Sequence, residues 1–530
     1  MSECVVGVVL THTREGFSFI TKHSFASGEF VCYRFGADRV LARVSYTEPL
    51  RDYPVEFLLD PEVDAEAVAV FYGFDTNDYR FYRVHALVVG YFDRRINEFI
   101  NPRMMPLSGT RIKRVDDTIL SDVNRVSAGE VGSAHIGTIL GTKTDAVLSV
   151  RELVSQHLAI IAATGAGKSY TVGVIVEELI LAKNMASVLI FDPHGEYGVL
   201  SDIQNDHSFW EEDYRPRVRI VKPNQIKIRL GDLTPGDFIS IIDDGNMSEK
   251  MKTLFVEAYE RLKKDEKRLT QNFTKNELRE TIEGLSDGTN ESSITGLLWR
   301  YDRMVREPIF DDYRSIPLRD YFQPGLLTIM DVSGIGEWKQ QWIATILLRH
   351  LFDAREGTDN ERYSEELRSE RYLPHPVFVI LEEAHRFAPQ SGDAKSKQIL
   401  KTILSEGRKF GIGVCMVTQR PSKLDADALS QCMTQITMRI INPADQKQIE
   451  QSIESVSRDL LAELPALTRG QAITSGVAIN TPIIVNIRER RTTQIRGTSK
   501  DAPHVWRKHR RDKRSETIET RPSHELDIGV

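Results

Sequence analysis

The stretch Leu158-Ala-Ile-Ile-Ala-Ala-Thr-Gly-Ala-Gly-Lys168-Ser169 is an apolar run, a glycine-containing loop and the opening of a helical pattern. That order fits a phosphate cradle, a P-loop. In such a loop the backbone N–H groups wrap the phosphates, here from Thr164, Gly165, Ala166, Gly167, Lys168, Ser169 and Tyr170, and the helix N-terminus adds its positive dipole end. Lys168 would set its ammonium on the β- and γ-phosphates of ATP, and Ser169 would offer its hydroxyl to Mg2+. Gly165 and Gly167 keep side chains away where the backbone must approach the ligand. The strict pattern has glycine where this chain has Ala162, and a methyl group fits there if the residue keeps a negative φ. A surface Gly-Lys turn would not need the buried strand that precedes this loop.

Working outward, Val377-Phe-Val-Ile-Leu381 is a second apolar run that delivers Glu382-Glu383. This is the matching Walker B pattern. Glu382 would hold the Mg2+ shell, its extra methylene relative to aspartate allowing contact through a water, and Glu383 would orient and deprotonate the attacking water. A third run ends at Val417 and presents Thr418-Gln419-Arg420, where the Gln419 amide could report on the γ-phosphate or the lytic water. Ser396–Lys409 places Ile399, Leu400, Ile403 and Leu404 on one helical face, and Gly411 follows as a stop signal. Arg408 at the far end could reach a neighbouring subunit's γ-phosphate. A cation favourably placed at a helix C-terminus accounts for it equally. Glu382-Glu383-Ala384-His385 has a local likeness to the DEAH box, but no second motor domain with a QRxGR-type motif follows it.

These runs belong to an α/β pattern that begins near residue 137. Leu158–Ala162, Val188–Phe191, Leu326–Met330, Val377–Leu381, Ile412–Val417 and Ile436–Ile441 are mostly continuously apolar, as strands covered on both faces are. Residues 1–115 read differently, as short segments rich in Val, Phe and Tyr (Val5–Leu10, Phe17–Thr21, Phe30–Phe35, Val40–Tyr46, Val84–Phe92) punctuated by Gly16, Gly28, Gly36 and Pro49. That spacing predicts a small barrel or sandwich with an assembly or docking role. Residues 245–310 are charged and helix-prone, with Phe255, Tyr259 and Leu262 at helical spacing, and predict a helical insertion. From residue 486 the chain is basic: Arg488, Arg490, Arg491, Arg496, Lys500, Arg507, Lys508, Arg510, Arg511, Lys513 and Arg514. Such a run suits nucleic acid, a neighbouring subunit or a solubilising tail. The fold expected is therefore α/β: a RecA-like P-loop ATPase core (137–244 and 311–485) with a predominantly parallel sheet, an N-terminal β-barrel, a helical insertion and a basic C-terminal extension (486–530).

Composition sets bounds. A chain of 530 residues with 41% apolar and 27% charged residues has room for a large core and more than one domain. A formal charge of −7 supplies no global attraction to phosphate backbones, so any nucleic-acid contact must come from locally concentrated basic groups. Cys4, Cys32, Cys415 and Cys432 make no CxxC pair and no zinc-ligand spacing, and Cys415 lies in an apolar run that suits a small buried thiol. Sparse cysteines, no signal-like amino terminus and no apolar stretch of bilayer-spanning length point to a cytoplasmic protein.

Together, His157–Ser169, Phe191-Asp-Pro-His-Gly-Glu-Tyr197, Leu381-Glu-Glu-Ala-His-Arg-Phe387, Ser405-Glu-Gly-Arg-Lys-Phe410, Thr418-Gln-Arg-Pro-Ser-Lys-Leu-Asp425, Gln431-Cys432 and Asn442-Pro-Ala-Asp445 resemble the HerA family of hexameric DNA translocases within the HerA/FtsK group. The resemblance spans nearly the whole chain, barrel and insertion included. It implies a homo-hexameric ring around double-stranded DNA, with ATP bound between subunits. Lys168, Ser169, Glu382, Glu383 and Gln419 would form the cis site, and Arg408 matches the family's trans arginine. For the second trans arginine, Arg151 is the nearest candidate and Gln156 is closer to the expected spacing. The family's usual partners are the nuclease NurA, docked on the barrel, with Mre11 and Rad50 acting alongside at broken DNA ends; a nucleoid-associated place in the cytoplasm follows. Lys395 and Lys397 of the loop after Walker B could meet DNA phosphates, contacts that carry no sequence preference, although an exposed helix-start loop explains them too. Asp192, His194 and Glu196 lie near the nucleotide in the family.

Two other classes compete. A conjugation or secretion motor would keep the ATPase and usually add a membrane anchor, which the sequence lacks. A nucleotide-gated scaffold for a defence effector would need the ring more than hydrolysis, and Glu383, Gln419 and Arg408 together argue for turnover.

Overall fold

The computed structural model describes residues 4–492, apart from 13–15, 51–80 (64, 67, 70 and 71 excepted), 97, 103, 244, 265–272, 316–317, 367–368, 393 and 453–455; beyond 492 it describes Trp506 and Arg507. The remaining basic positions after Thr492 therefore lie outside the described residues.

The amino-terminal strands are β1 (Val5–His12), β2 (Phe17–Thr21), β3 (Phe30–Phe35), β4 (Asp38–Leu50), β5 (Phe81–Asp93), β6 (Glu98–Ile100) and β7 (Arg111–Arg114). They pair in the order β2-β1-β7-β3-β4-β5, and β2 pairs again with β5, closing a six-stranded antiparallel barrel with β6 appended to β5. Closure removes the free strand edges. Inward side chains of Phe17, Phe19, Val31, Tyr33, Val40, Val84 and Ile112 fill the interior, with Phe17 edge-on to Tyr33 at 5.7 Å. The buried Arg43 guanidinium fastens the barrel to the rest of the chain, donating to Ser457 Oγ (2.6 Å), Asp459 Oδ2 (3.2 Å) and the Pro482 carbonyl (3.4 Å).

The main sheet contains β8 (Ser133–Ile139), β9 (Asp145–Ser149), β10 (Leu158–Ile161), β11 (Val188–Asp192), β12 (Arg217–Val221), β15 (Leu326–Asp331), β16 (Val377–Glu382), β17 (Ile412–Thr418), β18 (Thr434–Met438), β19 (Gln471–Gly476) and β20 (Ile483–Ile487), while β13 (Ile228–Arg229) and β14 (Phe310–Asp311) make a separate short ladder. Its order is β12-β15-β11-β16-β17-β10-β18-β19-β20-β8-β9. The strands from β12 to β18 are parallel to one another, and those from β19 to β9 continue antiparallel. The continuous apolar runs resolve into two faces. Leu158, Ile160, Val188, Ile190, Ile380 and Val417 pack with Val172, Ile175, Val176 and Leu179 of the helix Lys168–Ile180. Ala159, Ile161, Leu189, Val379, Leu381 and Met416 pack with the helix Glu337–Asp359, the helix Lys397–Glu406 and the insertion. Phe255, Tyr259 and Leu262 are buried, as their spacing predicts.

Four expectations need correction. The sheet begins at Ser133 and has an antiparallel wing, whose strands β8, β9, β19 and β20 each mix polar residues into their apolar run and so carry no continuous apolar signal. The strand expected at Ile436–Ile441 is Thr434–Met438; the chain leaves the ladder early and Ile441 is exposed. The helix expected to reach Lys409 ends at Glu406, and a tight 3-10 turn, Gly407–Phe410, carries Arg408 to left-handed Gly411 (φ 67°). The basic extension does not start at 486. Ile487 still belongs to β20, and Arg488, Arg490 and Arg491 lie against the P-loop helix. There the paired acids Glu177 and Glu178, both buried, demand cations.

Candidate nucleotide site

Parallel strands deliver their loops to one edge of a sheet, and here that edge gathers the ends of β10, β11, β16 and β17. Ala162 keeps its negative φ, since the non-glycine residues with positive φ among those described are His157, Met185, Glu361 and Glu383. Its N–H bonds the Thr418 carbonyl at 3.2 Å, so the loop leaves the sheet on a ladder-like contact. Gly165 (φ 80°) and Gly167 (φ 115°) need the left-handed region, and a Cβ on Gly165 would meet nothing within 4 Å, leaving the cradle open. Below the loop, His157 is buried and its pKa is pushed down to about 4 by desolvation. The neutral ring accepts from the Val414 N–H on Nδ1 (3.1 Å) and bonds the Leu404 carbonyl through Nε2 (3.0 Å), locking β10 against β17 and the helix before it.

The side chains form one network. Lys168 Nζ lies 2.5 Å from Glu382 Oε1 and 2.9 Å from Glu383 Oε1. Gln419 donates its amide to Glu383 Oε1 at 2.9 Å and accepts from the Thr164 hydroxyl at 2.7 Å. Ser169 donates to Glu196 Oε2 at 2.7 Å, and Tyr197 donates to Glu382 Oε2 at 2.7 Å. Glu382 is thus engaged through both oxygens, Oε1 by Lys168 and Oε2 by Tyr197. Burial lifts the Glu382 carboxyl to about 7 against the pull of Lys168. Burial lowers the Lys168 ammonium, but Glu382 and Glu383 outweigh it and leave the pKa raised.

Glu383 is the strained member. Its φ of 54° is a left-handed conformation that costs a side-chain-bearing residue about 1–3 kcal/mol. Its Oε2 is buried without a hydrogen-bond partner, 3.3 Å from His385 Nδ1. A carboxylate oxygen without a hydrogen-bond partner at the end of β16 is free to accept from a water in the cleft. Burial holds His385 below its ordinary pKa, and its ring also meets Thr418 Oγ1 at 3.2 Å.

The donor set of hydroxyl, carboxylates and open glycine cradle fits ATP with Mg2+. The oxygens of Ser169 and Glu382 are hard ligands of the kind Mg2+ takes. Of the other expected residues, Tyr170 turns aside: its hydroxyl accepts the Arg490 N–H at 2.8 Å, leaving its backbone N–H as its share in the helix N-terminus. Lys397 is tied to Asp425 (3.0 Å) and the Pro389 carbonyl (2.9 Å), so it is committed inside the fold, whereas Lys395 is exposed. Arg408 and Arg151 are both exposed and far from this cleft. Arg408 precedes β17 and the cleft follows it, so the seven-residue strand separates them by about 20 Å. The helix Val150–Gln156 that carries Arg151 packs against the Arg408 turn.

The family resemblance puts Asp192, His194 and Glu196 near this edge without roles, and gives none to Tyr197 or His385. The available signal was position: Phe191–Tyr197 leaves β11, the strand beside Walker B. Asp192, fully buried, accepts from the N–H groups of His194 (3.2 Å), Gly195 (2.8 Å) and Tyr197 (3.0 Å), fixing the loop that carries Glu196 and Tyr197 into the network.

Residues 134–351 match the family model of the HerA helicase central domain. A probable helicase of Methanocaldococcus jannaschii is 31% identical over 395 residues, covering 73% of this chain and 72% of its own. The DNA double-strand break repair helicase HerA of Pyrococcus furiosus is 30% identical over 435 residues, covering 74% and 75%. The HerA protein of the same description from Saccharolobus solfataricus is 29% identical, covering 78% and 79%. With the P-loop and Walker B carboxylates joined in one cleft, the chain belongs to the HerA family of P-loop ATPases.

Proposed function

We propose that this protein is an ATP-driven DNA translocase or helicase, working as a hexameric ring on double-stranded DNA in the repair of double-strand breaks. The observation that carries the reading is the pairing of Lys168 with Glu382 and Glu383 in one cleft, while Arg408 stands exposed at the other edge of the sheet. ATP phosphates entering the cradle would draw Lys168 off the carboxylates. That frees Glu383 to take a proton from water, with Gln419 aligning it between Thr164 and the base. Mg2+, held by Ser169 and Glu382, would supply charge neutralisation on the phosphate oxygens. Arg408, with Arg151 beside it, would complete the next subunit's site. Lys395 and the basic chain after Thr492 are the proposed DNA contacts. The barrel is the proposed dock for a NurA-type nuclease, with Mre11 and Rad50 acting at the same DNA ends, and the place of action is the cytoplasm. No helix among the described residues is long and apolar enough to cross a membrane, which gives the conjugation-type reading no support.

The test is subunit mixing. Arg408→Ala should lower kcat by about 10³ or more, as loss of an arginine finger does. Combined with Glu383→Gln subunits, it should recover part of the duplex-stimulated ATPase, because some interfaces then hold an intact base and an intact arginine. No recovery at any mixing ratio removes the trans assignment. An ATPase rate indifferent to linear duplex DNA removes the translocase reading.

A further inference from the structure

We infer that Tyr197 is the positioning residue for Glu382: its phenol fixes the longer Walker B carboxylate so that Oε1 alone faces the cation and nucleotide. The inference rests on the ATP and Mg2+ reading above. Glutamate at 382 has one more rotatable bond than the usual aspartate, and its carboxylate could swing away from the metal position. Tyr197 removes that freedom. Its hydroxyl donates to Glu382 Oε2 at 2.7 Å, and both residues are 1% exposed, so no solvent competes for that oxygen. Lys168 occupies the other oxygen, Oε1, at 2.5 Å. The two oxygens thus have separate duties, one anchored and one presented to the phosphate cradle.

The anchor is itself held. Tyr197 ends the loop that Asp192 gathers through three backbone N–H groups, and Asp192 lies in register with Asp331 on the neighbouring strand β15. Gly195, left-handed at φ 71°, lets the loop lie close to Ser333, whose Oγ would stand 3.0 Å from a Cβ there. The adjacent Glu196 accepts from Ser169, the other hard-oxygen group of the proposed cation site. One loop therefore holds both Ser169 and Glu382. A tyrosine that served only as filler would need no hydrogen bond to a catalytic carboxylate and no buried acid to fix its backbone.

The experiment measures binding of a fluorescent non-hydrolysable ATP analogue to the full chain as Mg2+ is titrated in. Tyr197→Phe should need about tenfold more Mg2+ than wild type for half-maximal enhancement of binding, the scale of a lost hydrogen bond to a charged group. On a Glu382→Asp background the same change should add little, because the shorter carboxylate no longer reaches the phenol. Asp192→Asn, which loosens the loop without touching Glu382, should shift the Mg2+ midpoint in the same direction by less. An unchanged midpoint in Tyr197→Phe or Asp192→Asn, or full additivity with Glu382→Asp, overturns the inference while leaving the ATPase reading intact. A purely structural role would lower Tm and leave the midpoint still, and that result overturns it too. Absence of any Mg2+ enhancement in wild type overturns both.

Discussion

Two Glu-Glu dipeptides are buried among the described residues, and they have opposite fates. Glu177-Glu178, within the P-loop helix, is fully satisfied: Glu177 accepts from the Arg488 guanidinium (2.9 Å), the N–H groups of Arg491 (3.1 Å) and Thr492 (2.9 Å) and the Thr492 hydroxyl (2.7 Å). Glu178 accepts from Lys183 (2.8 Å), Arg488 (2.9 Å) and the His135 N–H (3.1 Å). Glu382-Glu383 shares one lysine, holds a left-handed backbone and leaves Glu383 Oε2 without a hydrogen-bond partner. Burial is equal in the two cases, so burial does not mark function; what differs is whether every oxygen is spent. A saturated acid pair fastens chain segments, and an unsaturated one retains capacity for a ligand or a water.

The sharpest way to break this contrast is to make the same substitution in both pairs. Glu383→Gln should lower kcat by about 10²–10⁴, the usual share of a general base, with nucleotide still bound. Glu177→Gln should leave kcat per folded molecule near wild type and lower Tm, since an amide cannot accept from all four donors. Turnover assays and thermal melts on both variants check this. A comparable kcat loss at Glu177 would mean that the clasp around the helix takes part in turnover.

How far the sequence reveals this division depends on what surrounds each pair. Glu382-Glu383 follows a continuous apolar run, and that local signal is enough to find the strand and to propose a chemistry at its end. The same signal placed β10, β11, β15, β16 and β17 within a residue or two, because a strand buried on both faces has no polar position to blur it. Glu177-Glu178 sits in a helical pattern where charges usually face water. Lys183 and His135 are near it in sequence, but its Arg488, Arg491 and Thr492 partners are more than 300 residues away, in a run that reads as a basic tail by composition. That Arg488, Arg490 and Arg491 belong to the fold is decided by tertiary pairing that no window of sequence contains. The Tyr197 contact is equally illegible, since it depends on β11 and β16 being neighbours.

Removing the clasp's cation is the next test. Arg488 bridges Glu177 and Glu178, so Arg488→Ala removes the cation that two buried carboxylates share and should cost about 3–5 kcal/mol of stability, the range for breaking a buried ion pair. A chemical denaturation series measures it. The nucleotide cleft touches none of these atoms, so the ATPase of the surviving folded protein should persist at low temperature. A loss below about 1 kcal/mol would identify Arg488 as solvated and Glu177 as held by the Thr492 segment alone.

The smallest effect separates the pairs by the sign of their pH dependence. Glu382 is raised from its ordinary 4.5 to about 7 by burial. Between those values the nucleotide-free fold keeps a proton that the unfolded chain has released, so stability falls as pH rises through that window. Glu178 is also penalised by burial, but its hydrogen bonds and the charges of Lys183 and Arg488 win and hold it below its ordinary value. Its contribution is present above 4.5 and is lost as pH falls through the depressed value. Melts of wild type and Glu382→Gln without nucleotide should therefore differ by an amount that changes between pH 5 and 7. The gap between wild type and Glu178→Gln should hold steady there and close only in stronger acid. If Glu382→Gln tracked wild type from pH 5 to 8, Glu382 would be charged throughout, and the Walker B pair would be as well satisfied as the clasp.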